Sequence, residues 1–190
     1  MDASHISMPF LALILAADIA ITCRHSWQEW KGKGAPLWRN FGAIVGLDIS
    51  DGWGFLIFTV ALTLTMSVIG FVGILGALGP ACAAFALGML IGARVSDTLV
   101  SHVLLHQVGY RPNPGLSSSG LYVIEALVIV WLLPDRLTAG WDLAMAGLIA
   151  GAVMFIVVLP GLWLLRLVFP SRVRTAWTRW QSMPSWALKK

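Results

Sequence analysis

The chain has 190 residues, 58% of them hydrophobic and only 12% charged, with a mean hydropathy of +0.81. Water-facing domains carry about 25% charged residues, so this composition excludes a soluble globular domain and predicts a single all-α, polytopic membrane helical bundle. The net charge of +4 is concentrated at 24–39 and 166–190, beside apolar runs, which favours a bilayer surface and argues against a nucleic-acid partner.

About five transmembrane helices are expected, over 8–23, 53–78, 81–105, 119–133 and 141–169. The first run is short and contains Asp18. An acid at that depth either faces other helices or lies at the interface within reach of Arg24, and both readings stay open. Met1–Ile6 carries no Lys or Arg and no small-residue cleavage site follows the run, so a cleaved signal peptide is not expected. The next stretch, 24–52, is polar and broken by Gly32, Gly34 and Pro36. Asp51 is expected to cap the second span. Gly70, Gly73, Gly76 and Gly79 then recur every three residues, and Gly88/Gly92 and Gly147/Gly151 form small-residue pairs that permit close helix packing.

Two prolines and several serines and glycines break the chain at 106–118, and Ser117–Ser119 are expected to cap the fourth span. Asp135-Arg136 forms a brief turn, and Pro160-Gly161 kinks the fifth span. The tail, 170–190, alternates basic residues with Trp177, Trp180 and Trp186 and reads as a segment on anionic lipids of the cytoplasmic leaflet. Many of the ten Trp, including Trp27, Trp53, Trp131 and Trp141, stand where apolar runs end, as in an interfacial aromatic belt. Cys23 and Cys82 fall at opposite ends of this topology and are not expected to bridge. The basic segments place the N-terminus outside and the C-terminus in the cytoplasm.

Against this apolar background, 94–125 gathers the ionisable residues. Arg94, Asp97, Thr98, Ser101 and His102 follow i, i+3, i+4, i+7 and i+8, so they share one helix face that should turn inward. Thr98, His102 and His106 form an i+4 column. Arg111 and Asn113 sit in the break beyond. Glu125, about two turns into the fourth span, needs a partner or a proton. Arg94 is the nearest candidate and Asp97 competes for it.

Several chemistries fit. His102 and His106, with Glu125, would make an oxygen/nitrogen site for a divalent metal such as iron, zinc or manganese, and Asp97 or Asp18 are alternative carboxylates. Histidines and carboxylates at staggered depths would equally form a proton relay. Arg94, Asp97 and Glu125 would otherwise lock two helices as an ion network, leaving the histidines at the interface. A haem or pigment ligated by the histidines is a further option. No nucleophile elbow, phosphate loop or dinucleotide fingerprint is present.

His102, followed by Tyr110-Arg111-Pro112-Asn113-Pro114-Gly115-Leu116, together with His25-Ser26-Trp27-Gln28-Glu29 after the first span, resembles the small bacterial membrane proteins defined by an HxxEE motif. Gln28 stands where that motif has its first glutamate. The family has no assigned activity. The resemblance implies a bacterial inner-membrane location and adds His25 and Glu29 to the cytoplasmic-side cluster. Three functions are consistent with the sequence: a membrane-embedded enzyme or metal protein, a small proton-coupled transporter, or a non-catalytic subunit held to other membrane subunits.

Overall fold

The structure is a computed structural model that describes residues 6–31, 52–107 and 113–156. It is all-α, with no strand among the described residues. The stretch 32–51, Arg111, the second half of the expected fifth span and the basic tail lie outside the described residues.

Helix α1 runs over Met8–Lys31, eight residues past the expected end at 23. Charge at Arg24 suggested an end there, but a helix stops where its backbone is interrupted. Pro9 sits in the first turn, where its missing N–H is harmless, and no Gly or Pro occurs from Phe10 to Lys31. Asp18, Thr22, His25, Ser26 and Glu29 fall on one continuing helical face and are all buried. The polar residues are therefore a second, inward stripe of the same helix.

Helix α2 covers Gly52–Leu75 and stops three residues short of the expected boundary. Gly76 adopts φ +71°, a left-handed conformation that ends the helix, and Gly79 at φ +89° closes the turn into Pro80. A Cβ on Gly76 would also meet the guanidinium of Arg136, which lies over this helix end. Helix α3 begins at Pro80 and is α-helical to Ser96. It continues as a π-helix over Asp97–Leu104 and a closing turn at Leu105–Gln107.

Helix α4 spans Leu116–Leu132. Its N-cap is Gly115, at φ +89°, and not one of the serines. Ser118 and Ser119 lie inside the first turns, buried, with the Ser119 hydroxyl donating back to Leu116 O and the Ser118 hydroxyl 3.0 Å from Gly115 O. The polar turn at 135–136 is a single helical turn, α5 (Pro134–Thr138), and α6 runs over Trp141–Ile156.

The closest packing is between α3 and α6, and glycine explains it. A Cβ on Gly88 or Gly92 would collide with the backbone of Ala144, Leu148 and Ala152, and one on Gly147 or Gly151 with that of Phe85, Met89 and Ala93. Both GxxxG pairs thus press directly on the partner backbone. Residue numbers rise together on the two helices, so they run parallel. Gly73 makes a similar approach to Leu87, and Gly70 faces Asp18.

The apolar surface points outward. Leu13, Leu64, Leu127, Trp131 and Ile149 are all more than half exposed. Inside, Asp18, Ser101, His102 and Ser118 are completely buried. Among the described residues two helices are long and apolar enough to cross a bilayer, Met8–Glu29 and Pro80–Leu104, each with mean hydropathy 1.4. Val60–Leu75, Leu116–Leu132 and Trp141–Met154 are shorter apolar helices. Cys23 and Cys82 are both free and exposed.

Candidate metal centre

Two polar groups are buried where α1, α3 and α4 meet. The first surrounds Arg94. Its Nη2 donates to Asp18 Oδ1 and, at 2.7 Å, to Thr22 Oγ1. Its Nε stands 3.0 Å from Glu125 Oε2, and the guanidinium lies 4.1 Å above the Tyr122 ring. One guanidinium thereby binds three helices. Of the two places open to Asp18, the structure takes the interior one. Asp97 does not join Arg94.

The second group lies toward the other end of the same α3 face. His25 Nε2 and His102 Nε2 are 3.2 Å apart. Asp97 Oδ2 is 3.4 Å from the first and 3.6 Å from the second. Glu29 Oε1 is 3.7 and 3.9 Å from the same two nitrogens. The imidazole planes are nearly perpendicular, at 89°, so two lone pairs approach one point from different directions. His25 and His102 are 4% and 0% exposed.

The π-helix is what assembles this set on α3. Asp97 and His102 are five residues apart, which in an α-helix separates them by about 140° around the axis. A π-turn pairs residues i and i+5 and brings both onto one face, and such turns recur at functional sites. From α1, His25 and Glu29 are one turn apart and present their side chains to the same point.

The outer nitrogens are both hydrogen-bonded. Asn113 Nδ2 donates to the carbonyls of His102 (2.8 Å) and Ser101 (3.4 Å), so its Oδ1 faces His102 Nδ1, at 2.8 Å, and that nitrogen carries a proton. Ser118 Oγ stands 3.0 Å from His25 Nδ1, 2.7 Å from Gln28 Oε1 and 3.0 Å from Gly115 O, and can accept from the ring or donate to it. Both Nε2 atoms face carboxylates. Gly115 closes the group. A Cβ there would stand 2.7 Å from His102 Cε1 and 2.8 Å from His25 Cε1, so only glycine lets the turn cover the rings.

Of the residues singled out in the sequence, the structure gathers His102 and Asp97 with His25 and Glu29, and sets Asn113 behind His102. Glu125 and Asp18 go to Arg94. Ser101 is fully buried, its hydroxyl without a partner among the described residues and its carbonyl turned to Asn113. His106 lies one turn beyond His102 and is not among the converging ligand atoms; its Nδ1 has no hydrogen-bond partner among the described residues. Arg111 lies outside the described residues. Sequence reasoning did not find Ser118, Gly115, Thr22 or Tyr122 as parts of these groups. The spacing of Thr22 from Asp18 and His25 was the one available signal, and it became readable only with α1 extended.

His25, Asp97 and His102 each offer one ligand atom, all within 4.8 Å of one another. Zinc and similar ions bind imidazole nitrogen and carboxylate oxygen at ~2.0–2.2 Å, which sets ligand atoms roughly 3.3 Å apart in a tetrahedron. The spacings of 3.2, 3.4 and 3.6 Å fit that chemistry. Two imidazoles with one carboxylate suit zinc, iron(II), manganese or cobalt. The set does not fit a haem, because a single ring nitrogen cannot approach a porphyrin face with a second imidazole 3.2 Å away on the same side. No family model, curated protein or solved structure matches this chain.

Proposed function

We propose that this chain is a membrane-embedded metalloprotein whose metal centre is formed by His25, Asp97 and His102, with Glu29 alongside, at the cytoplasmic end of a five-span bundle in a bacterial inner membrane. The observation that carries the metal reading is the convergence of four potential ligand atoms at one buried point. Two imidazole Nε2 atoms and two carboxylate oxygens meet, with separations from the nitrogens of 3.2–3.9 Å, while both Nδ1 atoms turn outward to Asn113 and Ser118. Carboxylates buried together beside imidazole nitrogens are costly, and a cation between them removes the cost. The outer hydrogen bonds are those that orient metal-bound histidines elsewhere.

The membrane reading is supported by exposed apolar residues around a polar interior, and by the two helices of crossing length. Five crossings, N-terminus outside, make the third and fifth spans parallel, as α3 and α6 are. The expected tail, 170–190, would then lie on anionic lipids of the cytoplasmic leaflet.

Metal analysis of the detergent-purified chain tests this reading. About one divalent ion per chain is expected in the wild type, falling to background in His102→Ala and His25→Ala but retained in His106→Ala. Background levels in the wild type after incubation with zinc, iron(II) and cobalt(II) would refute it.

A further inference from the structure

A cavity of about 30 Å³ lies against the cluster. Its walls include Thr22, Glu29, Met66, Ala93, Asp97 and Tyr122. His25 also lines it, so two of the three ligand residues form part of its surface. A polar cavity needs only ~10–15 Å³ and two or more polar partners to hold a water molecule. Glu29 supplies an independent pointer. It is only 5% exposed, and its Oε1 has no hydrogen-bond donor. A buried carboxylate oxygen without a donor faces a strong penalty unless something in the adjacent space supplies a hydrogen.

Three protein ligands are the complement of a reactive metal site, which keeps a position for an exogenous ligand; closed structural sites use four. We propose that this cavity is the open coordination position of the centre, and that it takes a water-sized ligand carrying a hydrogen that bonds to Glu29 Oε1. The inference rests on the metal reading above. Glu29 is then a positioning residue and not a fourth ligand. Its Oε1 stands 3.7 and 3.9 Å from the two Nε2 atoms, farther than Asp97 Oδ2 at 3.4 and 3.6 Å. A small ligand held there is polarised by the cation on one side and oriented by the carboxylate on the other. The ligand class is small: water, hydroxide or another molecule of that size with a hydrogen to donate, which a small anion such as azide would displace from the metal.

Azide titration of the cobalt(II)-loaded protein, read by visible absorption, tests this. The wild type should show a saturable spectral change. Ala93→Ile and Met66→Phe, from two different helices, should keep the cobalt spectrum but weaken azide binding by about tenfold or more as the cavity fills. Glu29→Gln should keep cobalt and bind azide more tightly, because a negative charge beside the anion is gone. Cobalt bound with no azide response in the wild type would overturn the open position. Loss of cobalt in Glu29→Gln to the extent seen in Asp97→Ala would overturn the positioning role and make Glu29 a ligand. Failure of the wild type to bind cobalt at all is a separate result, which removes the metal centre itself.

Discussion

The Arg94 group and the histidine group each bury two carboxylates, yet they solve the same electrostatic problem differently. Around Arg94 the chain supplies its own cation, a guanidinium shared by Asp18 and Glu125. Around His102 no Lys or Arg is ion-paired among the described residues: Asp97 and Glu29 face two imidazoles. Burying a charge without a partner is among the largest penalties a fold can carry. The first group joins α1, α3 and α4 through Arg94, although Asp18 Oδ2 and both Glu125 carboxylate oxygens have no hydrogen-bond partner among the described residues. On the proposed reading the first group is a structural lock and the second a site completed by a metal ion, though both are made of the same residue types a few turns apart.

The contrast predicts that damage to the two groups will read out differently. The largest effect is expected for Arg94→Ala, which strands two buried carboxylates. Stability should fall by ~3–5 kcal/mol, seen as a collapse of the folded fraction on size exclusion in detergent. Unchanged thermal stability in that variant would erase the distinction. Next come the glycines that bring α3 and α6 together. Gly92→Leu would drive a side chain into the backbone of Leu148 and Ala152, at a cost of ~1–3 kcal/mol or more, checked by thermal melting. Neither change addresses the metal ligands, so whatever folded protein survives should still bind metal.

Smaller effects on stability but larger ones on metal are expected at the histidine group. Asn113→Leu frees His102 to take either tautomer, and metal affinity should fall by roughly 10–100-fold, measured by competition with a chelator. Ser118→Ala removes the hydroxyl 3.0 Å from His25 Nδ1 and should act in the same direction and more weakly, since it deletes one hydrogen bond and leaves the backbone contacts of the turn in place. In both variants the melting temperature should stay close to that of the wild type. A large loss of stability in Asn113→Leu with metal affinity intact would turn the comparison round, making the histidine group the lock.

Much of the architecture was legible in composition and spacing. The glycine pairs predicted close packing, and they make it, Gly88 and Gly92 against α6 and Gly147 and Gly151 against α3. The inward polar face of α3 was legible for the same reason, since lipid penalises exposed charge. The partition of that face was not. Sequence spacing offered Glu125 first to Arg94 and also to a metal, and the positions of α1 and α4 put it beside Arg94. His106 was a candidate ligand because i+4 spacing is the α-helical rule. In the structure a π-turn brings Asp97 and His102 together and leaves His106 outside the converging atoms, and nothing in the residues announces that turn. The end of α1 was misjudged because Arg24, His25 and Glu29 resemble a solvated loop when read one by one. Read as a continuation of Asp18 and Thr22, His25 and Glu29 are the buried edge of the same helix, while Arg24 is exposed.

The central claim is that a cation sits between the two imidazoles. Anomalous diffraction at the absorption edge of cobalt or zinc, on crystals of the metal-loaded protein, locates the ion without further assumption. One strong peak is expected about 2 Å from both His25 Nε2 and His102 Nε2, with Asp97 beside it. A peak at His106 or Glu125, or none near His25 and His102 in fully loaded protein, would contradict it.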